Sequence, residues 1–170
     1  MPDSHTPHVH YASGTGHSPK DFLPLIAMVA LVLALTLASM HAFSLDPMLA
    51  FMGWFFIVFG GLKVMRLSGF VEAYQKYDLI AMRSRAYAYV YPFLELFFGI
   101  SYLLAWQVVA VSVVVAVVMV IGALGVYLKL RAKEEIPCAC LGTVFKVPMT
   151  WVTLGEDLLM AGMAIALILM

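Results

Sequence analysis

Apolar residues run almost unbroken through five stretches of the chain, and polar residues collect in the breaks between them. The stretches cover residues 22–43, 48–67, 87–105, 107–130 and 152–170. Each holds roughly 20 residues, which at about 1.5 Å per residue is the length a helix needs to cross the hydrocarbon core of a bilayer. The valine-rich fourth stretch would read as a strand in water, but its length and the bilayer's demand for internal backbone pairing favour a helix. The break Ser44-Leu45-Asp46-Pro47 is short and turn-like, so the second helix returns antiparallel to the first. In the longest break Phe70, Tyr74 and Tyr77 recur at i, i+4 and i+7, with Glu72, Gln75, Lys76 and Asp78 off that stripe. This spacing predicts a short amphipathic helix in the membrane interface. Tyr87, Tyr89 and Tyr91 at one end of the third stretch, and Trp106 at the other, fit aromatic belts. Gly53 and Gly60, with Gly61 beside them, and Gly122 with Gly125, suit close approach between helices. The expected fold is an all-α membrane protein, an antiparallel bundle of five transmembrane helices over residues 22–170.

Composition agrees with this pattern. With 64% hydrophobic residues, 12% charged residues and a mean hydropathy of +0.97, the chain carries more apolar surface than a soluble domain hides. Residues 1–21 are the exception. They are polar, rich in Pro, Ser and Gly, and carry His5, His8, His10 and His17, which predicts a flexible tail. Those histidines either bind metal or are simply solvated. The first apolar stretch lacks a basic leader and a small-residue cleavage site, so it is expected to be a retained helix.

Ten basic and ten acidic residues cancel, so net charge gives no pointer to nucleic acid. No phosphate-binding glycine loop or paired-histidine metalloprotease motif is present, and no cofactor is assigned. The placement of charge is more informative. With five spans, all ten basic residues fall on one side: Lys20; Lys63, Arg66, Lys76, Arg83 and Arg85; Lys129, Arg131, Lys133 and Lys146. The positive-inside rule then predicts a bacterial inner-membrane protein with its N-terminus and the fourth-to-fifth connection in the cytoplasm and its C-terminus outside.

That connection carries the only two cysteines, Cys138 and Cys140, between Pro137 and Gly142. In the turning backbone these neighbours favour, the two thiols share a side. They can close a small, exchange-prone disulfide ring, clamp a soft metal ion, or pack as two small hydrophobes. On the same side, counting about 1.5 Å per residue, Glu95 lies roughly 12 Å, Glu156 roughly 9 Å and Lys63 roughly 6 Å into the membrane. Each is costly there without a partner. Lys63 either snorkels to the headgroups or pairs with an acid, and a Lys63–Glu95 pair either fixes helix packing or moves protons. Glu156 and Asp157 are also acids near a helix N-terminus, where the macrodipole favours them.

Gly60-Gly61-Leu62-Lys63, followed by Pro92-Phe93-Leu94-Glu95 and Gly99, resembles the pattern of the DoxX-type four-helix membrane proteins. Cys138-Ala139-Cys140-Leu141-Gly142 before a final membrane helix resembles the MauE branch, the methylamine-utilisation accessory proteins. The resemblance covers roughly residues 48–170 and leaves the tail and the first helix outside it, as an addition to a four-helix module. It implies a redox-associated module beside a thioredoxin-like partner, assisting disulfide formation or maturation of an exported client. It assigns Cys138 and Cys140 as the exchanging thiols and Lys63 and Glu95 as a buried polar pair.

Three functions follow as expectations. The first is a thiol–disulfide relay in which Cys138 and Cys140 exchange with a thioredoxin-like partner, while Glu95, Lys63, Glu156 and Asp157 tune thiolate formation or carry protons. The second is copper or zinc handling, with Cys138 and Cys140 as thiolate ligands and His5, His8, His10 and His17 completing a site. The third is a non-catalytic subunit of a homo- or hetero-oligomeric assembly.

Overall fold

A computed structural model of the protein describes residues 23–133 and 151–170. Among these residues there are six helices and no strand: α1 Leu23–Phe43, α2 Pro47–Met65, α3 Leu67–Tyr74, α4 Arg85–Leu103, α5 Val108–Arg131 and α6 Trp151–Leu169. The five long ones match the five apolar stretches to within about two residues at each end. Of these, α1, α2 and α5 are long and apolar enough to cross a membrane.

The breaks are set by local chemistry. Asp46 accepts hydrogen bonds from the Met48 and Leu49 amides, and Pro47 opens α2, where its missing N–H costs nothing. Ser84 caps α4 by accepting from the Tyr87 amide, so α4 starts two residues earlier than the apolar pattern alone indicates. The expected interfacial helix is shorter than its stripe. Helix α3 ends at Tyr74 and turns lead on to Ser84, with Tyr77 in the first of them. Phe70, Tyr74 and Tyr77 all point inward and are buried. Asp78, placed with the solvated residues by its position off the stripe, is fully buried instead. Its Oδ1 accepts from the Ile80 and Ala81 amides and so closes the turn that carries it, a role that position off a stripe does not announce.

The backbones of α2 and α4 run close together, as do those of α5 and α6, and α1 lies along α2. Glycine makes the α2–α4 contact. A β-carbon at Gly99 would lie 2.8 Å from the Gly53 carbonyl oxygen, a distance real side chains essentially never keep, and 3.0 Å from the Ile57 amide nitrogen. At Gly60 it would lie 3.1 Å from the Glu95 β-carbon. Gly61 faces open space and takes no part. At Gly125 on α5 the close neighbour is the Tyr77 carbonyl oxygen, so this glycine seats the turn after α3 rather than another helix.

Between the α2–α4 and α5–α6 pairs, large side chains fill the space. Phe56, Tyr102, Val115 and Met160 belong to one buried cluster, and the Tyr102 and Ser112 hydroxyls hydrogen-bond at 3.0 Å. Helix α1 is held by Leu25 and Val32 against Phe59, and by the Trp54 indole N–H donating to Ser39 Oγ at 2.7 Å. The outward faces carry Leu31, Leu33, Leu37, Val113, Val117 and Leu124, while Lys63 and Glu95 are inside. Apolar outside and ionic inside is the arrangement a hydrocarbon solvent selects.

Overpacking a tight helix contact costs about 1–3 kcal/mol. Gly99→Ala should therefore destabilise the protein by that amount in detergent unfolding titrations, while Gly61→Ala should leave the midpoint unchanged or raise it.

Candidate functional site

A small polar cavity of about 40 Å³ lies between the two helix pairs. Lys63 reaches it from α2, Phe70 and Tyr74 from α3, Tyr91 and Glu95 from α4, and Glu156 and Asp157 from α6. All four ionisable residues picked out of the membrane spans by sequence thus line one space.

Helical spacing puts them there. Phe56, Phe59, Gly60 and Lys63 share the buried face of α2, and Ala88, Tyr91, Pro92, Glu95 and Gly99 that of α4. Gly60, one turn before Lys63, leaves room for α4 at Pro92 and Glu95. The two short motifs are therefore halves of one packing unit. Its product is a buried ion pair and hydrogen bond between Lys63 Nζ and Glu95 Oε1. Lys63 is 7% exposed and Glu95 3%, so the lysine does not snorkel to the surface. Aromatic faces complete its surroundings, with the ammonium 5.1 Å from the Tyr91 ring centroid and 5.6 Å from that of Phe70.

Among the described residues lining the cavity, Lys63 is the one basic residue, against three carboxyls. The Asp157 carboxyl reaches toward Gly122, where a β-carbon would sit 3.6 Å from Oδ2. Among the described residues, two buried polar atoms facing this space have no hydrogen-bond partner, the acceptor Glu95 Oε2 and the Tyr74 hydroxyl. Burial holds the Tyr74 hydroxyl well above the ordinary phenol range, so it stays a donor. The cavity volume suits roughly two or three waters. The space is far too small for an organic cofactor.

Tyr91 was expected in an aromatic belt with Tyr87 and Tyr89. It is buried instead, with Tyr87 half-buried and Tyr89 outermost. The signal was present in the spacing, since Tyr91 precedes Glu95 by four residues and must share its face. Cys138, Cys140 and the histidines His5, His8, His10 and His17 lie outside the described residues. Among the described residues, no three His, Cys, Asp or Glu side chains come together as a metal site.

The family model for methylamine utilisation protein MauE matches residues 20–170, and the chain belongs to this family. The match takes in α1, so the first helix is not an addition outside the family's module, as the motifs alone implied. Neither the curated proteins nor the solved structures contain a match.

Leaving a buried charge unpaired costs about 3–5 kcal/mol. Glu95→Gln should lose that much stability in detergent unfolding, and adding Lys63→Met should restore part of it. Additive losses in the double mutant would show that the two side chains do not share an interaction.

Proposed function

We propose that this MauE-family membrane protein is a thiol–disulfide relay of the bacterial inner membrane, with Cys138 and Cys140 as its exchanging pair. In this reading α1, α2, α4, α5 and α6 each cross the bilayer. The basic residues at the ends of α2, α4 and α5 face the cytoplasm with the N-terminus, and the C-terminus lies outside. The partner is a thioredoxin-like protein, and the relay supports maturation of a client.

The observation that carries the proposal is the polar cavity. Its α5 lining, Met119, Gly122 and Val126, lies toward the end of that helix, and its α6 lining, Thr153, Glu156 and Asp157, toward the start. The connection bearing the cysteines joins those two ends. A bundle that needed only a packing contact would be served by Lys63 and Glu95 alone. Two further carboxyls are kept near the start of α6, the end to which the cysteine-bearing connection leads, at a cost that packing does not explain.

The chemistry asks for such groups. When a dithiol reacts with a partner's disulfide, one thiol loses its proton and attacks, the partner's S–S bond breaks, and a mixed disulfide forms. The second thiol then displaces the partner, whose two sulfurs leave as thiols. Each attack removes a proton and each departing thiolate takes one up. Glu156 and Asp157 accept and return these protons, while Lys63 and Glu95 hold the cavity in shape.

The pair should cycle between a dithiol and an intramolecular disulfide in alkylation mass-tagging across graded redox buffers. Cys140→Ser or Cys138→Ser should trap a mixed disulfide with a thioredoxin-like protein while leaving membrane insertion intact. Thiols that never pair at any potential would overturn the relay. A reporter active only outside the cytoplasm should give signal when fused to the C-terminus and none when fused after Arg85.

A further inference from the structure

Asp78 is an acid buried just outside the polar cavity. It lies in the turns between α3 and α4, is fully buried, and does not line the cavity. Its Oδ1 closes a turn by accepting from the Ile80 and Ala81 amides at 3.0 and 2.8 Å. Among the described residues, its Oδ2 is buried without a hydrogen-bond partner. Closing the turn needs one acceptor oxygen only. An asparagine supplies that oxygen with no charge to bury, so the turn does not account for the acid.

The surroundings of Asp78 do account for it. Tyr77, the residue before it, lines the cavity, while Lys76 and Arg83 on the same connection are exposed. The Asp78 amide donates to the Tyr74 carbonyl at 3.1 Å, one turn back. Tyr74 lines the cavity too, and its hydroxyl is the second unpartnered buried atom on this side. The Tyr74 ring stands 4.6 Å from that of buried Tyr91 and 6.4 Å from that of half-buried Tyr87. The Asp78 charge acts on the Tyr74 and Tyr87 hydroxyls and on Asp157 in the cavity.

We propose that Tyr74 and Asp78 are the route by which protons pass between the cavity and water. The proposal rests on the relay reading, which brings thiol protons into the cavity, and names the residues that carry them out. Each step moves one proton and no electrons. A protonated Asp157 gives its proton across the cavity to the Tyr74 oxygen, while the Tyr74 hydroxyl gives its own to Asp78 Oδ2. Asp157 is left a carboxylate, Tyr74 is again a neutral phenol, and Asp78 is a neutral acid that passes the proton on to water. A phenol serves here because it donates and accepts at one atom, and burial keeps it protonated between transfers. Among the described lining residues, one ammonium faces three carboxyls. Ionising all three would leave buried charge uncompensated, so the cavity holds a proton to exchange.

The test transfers the full chain in lipid nanodiscs from H2O to D2O, with infrared spectroscopy as the readout. The carboxylic acid C=O band removed by Asp157→Asn or Glu156→Gln reports the cavity, and its downshift gives the rate of proton exchange with water. Asp78→Asn should keep the native unfolding midpoint or raise it. It should nevertheless slow the exchange about 100-fold, the lower end of what a positioned acid–base group contributes. Tyr74→Phe, which keeps the ring and removes the hydroxyl, should slow it similarly. The Cys138→Ser/Cys140→Ser double variant should exchange as the native chain does, so a failure of the relay and a failure of this route are told apart. A native rate in Asp78→Asn would leave Asp78 a turn residue and overturn the proposal. A native rate in Tyr74→Phe would overturn it equally, and this variant decides if Asp78→Asn does not fold. A native chain with no such carboxylic acid band at neutral pH would overturn it as well.

Discussion

An ammonium and a carboxylate side by side in an apolar interior impose conditions on everything around them. Each ion lost its hydration on entering the bundle, and the pair repays that cost only if the two groups meet in good geometry. Lys63 and Glu95 meet because α2 and α4 approach closely, and those helices approach closely because Gly53, Gly60 and Gly99 remove the side chains that would hold them apart. The ring faces of Tyr91 and Phe70 then surround the ammonium without competing for the carboxylate. Helix contact, aromatic shell and ion pair depend on one another, so loss of any one exposes the cost of the others.

The pair also determines what the cavity can do. Because Glu95 Oε1 is committed to Lys63, what remains available is Glu95 Oε2, the Tyr74 hydroxyl and the carboxyls of Glu156 and Asp157. These groups surround a water-sized space rather than a ligand-sized one, which suits the passage of protons better than the binding of a substrate. The thiol chemistry proposed for Cys138 and Cys140 needs proton acceptors.

Much of this was legible in the amino-acid sequence, for a physical reason. Charged residues in membrane spans are so costly that each one announces a partner, so Lys63, Glu95, Glu156 and Asp157 stand out in the sequence alone. Helix lengths were equally plain, since the bilayer sets them. The aromatic lining was harder to read. Tyrosine is at home both at the membrane interface and in a polar core, and only the four-residue step from Tyr91 to Glu95 told the two apart. Asp78 was misread because its burial comes from a turn seated on Gly125, a contact between residues far apart in the chain. The short motifs around Gly60 and Pro92 carried the resemblance to DoxX-type proteins but did not show that they are two sides of one contact.

The coupling between cavity and thiols is tested most directly by the rate at which an oxidised thioredoxin-like protein converts the Cys138–Cys140 dithiol to the disulfide. General-base assistance contributes about 10²–10⁴-fold. Asp157→Asn/Glu156→Gln, if it folds and inserts as the native chain does, should therefore slow the reaction by at least about 100-fold at neutral pH. Much of that loss should be recovered as rising pH ionises the thiols without help. A double variant with the native rate and the native pH profile would contradict the account, leaving the carboxyls as packing residues and the thiols to react alone.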